Sequence, residues 1–227
     1  MFVTDIRSAL AGSADVTKAP QMQAYMKSDL PFFGLPSPVL KPLLRDVLAS
    51  PVLDRSNWEL AIRTLWDEAT HREEWYAALA LAGHRHYRVF QAPETLTLYR
   101  DLVVSGAWWD VVDDLAAHKI GPILLACPDE TAPVIRAWTT DEDPWLRRTA
   151  IICQLGARHE TDLELFEHAL TANLEGSLHG SVFWIRKAVG WALRQYARTD
   201  AEWVRDFVTA HDAELSGLSR REALKHL

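Results

Sequence analysis

The stretch SVFWIRKAVGWALRQYART, residues 181–199, reads as a helix from two of its faces. Phe183, Ile185, Ala188, Val189, Ala192 and Tyr196 recur at helical spacing and supply an apolar side, which a helix needs if it is to dock on its neighbours. Lys187, Trp191, Arg194 and Arg198 fall at i, i+4, i+7 and i+11 and share another face. The stretch holds four Lys or Arg residues and no acid, in a chain whose formal net charge is -7. A face that alternates cation and indole suits an anionic partner. Cations that lie over apolar surface, or that pair with acids of neighbouring helices, give the same pattern.

The rest of the chain has the same rhythm. Apolar residues follow helical spacing nearly everywhere, no segment alternates with period two between hairpin turns, and the fold class is all-α. Pro, Gly, Asn and Asp divide the chain into helical segments that begin at 20–28 and include 73–90, 107–118, 144–157, 161–173, 181–198 and 219–227. Asp143 before Pro144 is an N-cap with proline at the first helical position, and Thr161 with Glu164, like Ser219 with Glu222, has capping-box spacing. A helix pair about every 40 residues is the period of HEAT-like arrays, and a compact irregular helical domain has the same rhythm.

At 227 residues and 48% hydrophobic content the chain can bury a substantial core. No run reaches the roughly 18 apolar residues of a membrane span, the first residues lack a secretory pattern, and a cytoplasmic location is expected. Cys127 and Cys153 are expected to be reduced. The acidic balance argues against coating nucleic acid by bulk attraction, so any such surface has to be local. The imidazoles of HRH, 84–86, have i, i+2 spacing, which points them apart on a helix, and no HExxH or CxxC pattern occurs, so no metal is expected. No phosphate-binding glycine loop or GxSxG motif supports nucleotide hydrolysis or serine-hydrolase chemistry.

The stretch SGAWWDVVDD, 105–114, sets two indoles against three carboxylates. With a helix starting near Ala107 after Gly106, Trp108, Val111, Val112 and Leu115 form a core stripe. Trp109 and Asp113, four apart, lie about 40° apart on its flank and can reach one spot. Three readings stay open: a core edge beside a solvated acidic face, a magnesium cluster of Asp110, Asp113 and Asp114, and an indole and a carboxylate that together hold a cation. The magnesium reading needs a second, facing acidic cluster, and the other acid-rich stretches look like loops or caps.

Six stretches in order resemble the AlkD-type DNA alkylation repair glycosylases: AYMKSDLPFFGLPSP (24–38), LWDEATHREEWYAALAL (65–81), SGAWWDVVDDLA (105–116), DPWLRRTAIICQL (143–155), IRKAVGWALRQYART (185–199) and LSRREALKHL (218–227). WWDxVD, then WLxRxAI, then KAxGWxLRxYA is a specific combination. The resemblance implies one domain over 1–227, a right-handed superhelix (α-solenoid) of about six HEAT-like helix pairs whose basic concave face takes duplex DNA. It also implies a monofunctional glycosylase, without cofactor and acting as a monomer, that excises N7- and N3-alkylated purines without a deep pocket for the base. By resemblance Asp113 is the catalytic carboxylate, Trp109 and Trp191 are cation-facing indoles, and Arg148 and Arg194 grip the DNA backbone. Lys187 and Arg198 extend that basic face, and Tyr25 falls where the family often has an aromatic near the lesion strand. Relatives without the carboxylate bind without cutting, and this chain keeps it. The loop around 174–184 matches the family loosely. The second class of function is a non-catalytic helical-repeat module that binds DNA or an acidic partner, with Asp113 turned away or paired with an arginine.

Overall fold

The computed structural model describes residues 2–50 and 52–227, and its backbone divides into two compact units, Met1–Phe90 and Gln91–Leu227. The described residues form fourteen α-helices and no strand. No helix among them is long and apolar enough to cross a membrane.

The first unit holds α1 (Phe2–Gly12), α2 (Ala19–Met26), α3 (Ser37–Val47), α4 (Arg55–Asp67) and α5 (Arg72–Ala82). Helix α1 precedes every segment expected from the sequence, and it buries little beyond Ile6 and Leu10. The largest fully buried side chain is Trp58, whose indole N–H donates to the Leu81 carbonyl at 3.2 Å and so joins α4 to α5. Glu73 is fully buried on α5 and accepts the backbone N–H groups of Phe33, Gly34 and Leu35 at 2.9–3.0 Å. Three donors on one carboxylate satisfy its buried charge and pin the loop between α2 and α3. Tyr25 stands on α2 at 75% exposure.

The segment expected as one helix over 73–90 stops at Gly83 and continues as a kinked 3₁₀ stretch, Arg85–Phe90. The spacing argument for 84 and 86 therefore fails. Outside an α-helix the His84 and His86 rings meet edge to face at 4.5 Å. Burial, followed by the neighbouring His86 and Arg85, pushes the His84 imidazole below its ordinary value.

The second unit holds α6 (Leu96–Gly106), α7 (Trp109–Leu115), α8 (Gly121–Ala126), α9 (Pro128–Trp138), α10 (Pro144–Ile152), α11 (Leu163–Thr171), α12 (Phe183–Tyr196), α13 (Ala201–Ala210) and α14 (Gly217–Ala223). Asp143 caps α10 as its sequence requires, accepting from the N–H groups of Trp145 and Leu146. The other two expected caps are displaced. Asp162 caps α11 and Ser216 caps α14, while the Thr161 hydroxyl donates back to the Arg158 carbonyl at 2.7 Å. Each true cap sits where the chain leaves an extended residue, a backbone property that Thr-x-x-Glu spacing does not encode.

Between α7 and α8, Ala116–Ile120 forms a π turn, with the Gly121 N–H donating to the Ala116 carbonyl five residues back. A π turn takes in one residue without advancing the helix face, so Asp113 and Gly121, eight apart, keep the relation of residues seven apart, about 20° off two full turns instead of about 80°. Both then face α10. Asp113 meets Arg148, and Gly121 lies so close to the end of α10 that an added Cβ would sit 2.2 Å from the Cys153 carbonyl oxygen.

Helix α12 buries Ile185, Ala188, Val189, Ala192 and Leu193 in the core of this unit. At Gly190, α14 crosses so closely that a Cβ would fall 2.6 Å from Glu222 Cβ and 2.8 Å from the Ser219 carbonyl oxygen. Gly190→Ala is expected to force α14 away at a cost of about 1–3 kcal/mol, the usual range for overpacking. A lowered urea midpoint at constant slope is the measurement.

Candidate active site around Asp113

Helix α6 ends on Ala107 in a left-handed conformation (φ 36°), and the chain re-enters helix at Trp109. Trp108 is therefore the extended residue before α7 and not part of its apolar stripe, which Val111, Val112 and Leu115 complete without it. Its indole instead packs on Trp184 at 5.4 Å and Trp145 at 6.3 Å between ring centres, and those two rings lie 6.0 Å apart. Spacing placed Trp108 on the apolar stripe of its own helix. It could not show that three helix starts, those of α7, α10 and α12, meet.

Against this cluster lies Arg148. Its guanidinium donates to both oxygens of Asp113, at 2.8 and 2.9 Å, and to the Trp184 carbonyl at 2.6 Å. The side chain is 4% exposed and that of Asp113 18%. Arg148, expected to grip phosphate, commits three of its five N–H donors to these protein partners. Two parallel N–H···O bonds fix the plane of the carboxylate as well as its place. Burial pushes the Asp113 carboxyl above the ordinary aspartate value of 3.8; Arg148 opposes that shift and Asp110 adds to it.

Asp113 opens on a cavity of about 390 Å³ whose walls include Asp114, His118, Leu155, Trp191 and Gln195. The expected meeting of Asp113 with Trp191 from a separate helix is thus present. Trp109 does not line this cavity. It sits half-buried one helical turn before Asp113 on α7. The three acids do not converge as a magnesium cluster: Asp113 turns to Arg148, and Asp114 pairs with the buried Lys119 at 3.0 Å, a five-residue step that the π turn permits. No group of three metal-ligating side chains occurs among the described residues.

The basic face of α12 also differs from its expected form. Lys187 donates to Glu222 of α14 at 3.1 Å, and Arg194 pairs with the other oxygen of the same carboxylate. Burial would raise the Glu222 carboxyl, but Lys187 and then Arg194 outweigh it and hold it below the ordinary 4.5. The capping spacing of Ser219 and Glu222 hid this role, since Glu222 faces α12 and not its own helix start. Arg198 is exposed and lies outside these pairs.

A family model described as DNA alkylation repair enzyme matches residues 6–227. The chain belongs to that family. A solved structure described as a predicted DNA alkylation repair enzyme from Enterococcus faecalis is 30% identical, with a TM-score of 0.83 over 94% of this chain and 96% of that one. No curated protein matches. The fold class is the all-α, helical-repeat class of this DNA alkylation repair family, as the sequence led us to expect.

Proposed function

We propose that this family member is a monofunctional DNA glycosylase that hydrolyses the glycosidic bond of cationic N7- and N3-alkylated purines in duplex DNA. The observation that carries this reading is the placement of Asp113, fixed from one side by Arg148 and lining a cavity with Trp191 on the other. Alkylation at a ring nitrogen leaves the purine positively charged and already a good leaving group, so no general acid is needed. As the bond breaks the charge passes to the sugar, an oxocarbenium-like species. A carboxylate held in advance gains in strength as that charge develops, and it can orient the attacking water. Each carboxylate oxygen has two acceptor positions, and the two bonds from Arg148 use one on each. Trp191, on the cavity wall, offers an indole to the cation, contributing about 0.5–2 kcal/mol depending on desolvation, and Trp109, one turn before Asp113 on α7, would meet it from outside that wall.

Duplex DNA is the proposed partner, with Arg194, Lys187 and Arg198 meeting phosphates and Tyr25 near the lesion strand, in a protein that works as a monomer and one functional domain. Arg148 acts in this scheme as a positioning residue for Asp113. The test is an assay that compares a duplex containing N7-methylguanine with one containing deoxyuridine. Release of the cationic base alone supports the reading, and equal release of the neutral base contradicts it.

The acid limb of activity carries a second expectation. Asp113 acts as the anion, and its carboxyl titrates above 3.8 in the folded protein. Activity is therefore expected to fall with decreasing pH around a midpoint higher than that of an ordinary aspartate, and the fold itself loses some stability as the carboxyl ionises on the way up. A rate profile across pH 3–8 under single-turnover conditions measures it; a limb centred at or below 3.8 removes Asp113 as the titrating group.

One observation favours the non-catalytic module: a carboxylate paired with an arginine is what that reading anticipated. It forecasts salt-sensitive duplex binding with no base release from any alkylated substrate.

A further inference from the structure

Next to the Asp113 cavity lies a second one of about 310 Å³, and the two share Leu155 and Gln195 as a common wall. Their linings are opposite in charge. Carboxylates of Asp113 and Asp114 line the first, with no Arg or Lys. The second is lined by Arg158, Arg198, His159, Tyr196 and Thr199, with no carboxylate. Its two guanidiniums can only donate, and its hydroxyls can donate beside them.

The two guanidiniums have no carboxylate partner among the described residues, whereas three other cations of this unit do. Arg148 is buried on Asp113, and Lys187 and Arg194 share Glu222. Arg158 and Arg198 are both exposed and make no ion pair among the described residues. Arg158 also holds a left-handed backbone conformation (φ 55°), which costs a non-glycine residue about 1 kcal/mol or more and persists where the surroundings impose it. The Thr161 hydroxyl on its carbonyl, at 2.7 Å, is part of that restraint. The Arg158 side chain lines the pocket together with that of Arg198, which lies in the turn just after α12 and not on the helix face where its spacing had put it.

We propose that the Arg158–Arg198 pocket is a phosphate-ester subsite. It receives the phosphate attached to a nucleoside whose cationic part occupies the Asp113 cavity. The inference rests on the proposed function for its second half, the cationic nucleoside, while the phosphate chemistry stands on the pocket alone. An alkylated nucleotide carries its positive charge on the base and its negative charge one sugar away, and the paired cavities repeat that order. The phosphate belongs either to a polynucleotide backbone or to a free nucleotide.

The experiment uses the full chain and the variants Arg158→Gln, Arg198→Gln and the double variant, with thermal melts to confirm that these exposed changes leave folding intact. In the first arm, anisotropy of a labelled, undamaged duplex is followed from 50 to 300 mM salt. Loss of one phosphate contact lowers the slope of log K against log salt by about 0.9, and the double variant is expected to bind on the order of tenfold more weakly at low salt. In the second arm, guanosine 5′-monophosphate is titrated by calorimetry. A loss confined to the duplex assigns the subsite to the polynucleotide, and a loss of mononucleotide binding assigns it to the free ester; either supports the proposal. Unchanged slope and unchanged mononucleotide binding in a folded double variant overturn it. Neither arm depends on base release, so a wild type that binds in this way but frees no base defeats the proposed function and leaves the subsite standing.

Discussion

Asp113→Asn is expected to reduce the rate of N7-methylguanine release by roughly 10²–10³-fold, the loss usual for removing one preorganised electrostatic partner of a developing charge. Asparagine keeps the size of the side chain, and its carbonyl can still accept one N–H of Arg148. Its amide then presents N–H to the other donor of the guanidinium, and the negative charge is gone from the edge of the cavity. The sugar cation meets a dipole in place of an anion. Because Arg148 is left a buried charge with half its partner, the variant also loses stability, about 1.5–3 kcal/mol for a hydrogen bond to a charged group. The rate therefore has to be read well below the melting temperature, under single turnover, with duplex binding measured alongside. Intact binding with lost base release is the expected split. A folded Asp113→Asn protein with full activity removes the carboxylate from the mechanism.

The second large effect falls on stability. Arg148→Ala is expected to destabilise the fold by about 3–5 kcal/mol, the range for breaking a buried ion pair by removing one partner. For a chain of this length that corresponds to a fall in melting temperature on the order of 10 °C. Three hydrogen bonds disappear together: two on Asp113 and one on the Trp184 carbonyl that ties the start of α12 to α10. Base release should fail as well, because the carboxylate loses the fork that orients it. A surface arginine that touches only phosphate would behave in the opposite way, with unchanged melting and uniformly weaker binding. Calorimetric melts of the free protein decide between them, since an unaltered melting temperature in Arg148→Ala returns that residue to the DNA-contact role. Arg148→Lys should recover part of the charge but not the two-point grip.

What the sequence made legible was what one element carries by itself. The period of α12 showed a helix with an apolar and a basic face, Asp143 with Pro144 marked the start of α10, and the ordered motifs placed the chain in its family. Periodicity does not name the partner across an interface. Glu222 was visible only as a capping residue of its own helix, although its neighbours are Lys187 and Arg194 on another. Trp184 falls on neither the apolar nor the basic face read from the spacing, and its place became visible only where the starts of three helices meet beside Arg148. Helix α1 was missed because two buried residues in eleven make a faint stripe. The stretch 84–90 was misjudged because a 3₁₀ segment continues the apolar rhythm while changing the direction of every side chain.

The π turn at Ala116–Ile120 makes the count of residues a part of the chemistry. A stretch of the same length closed into a regular α-helix would keep every side chain discussed above and be straighter and better bonded, but Asp113 and Gly121 would stand about 80° off two full turns. That helix could seat its glycine on α10 or aim its carboxylate at Arg148, but not both. A relative one residue shorter here would hold carboxylate and glycine in the same relation with a regular helix, so residue count and helix type have to be compared together.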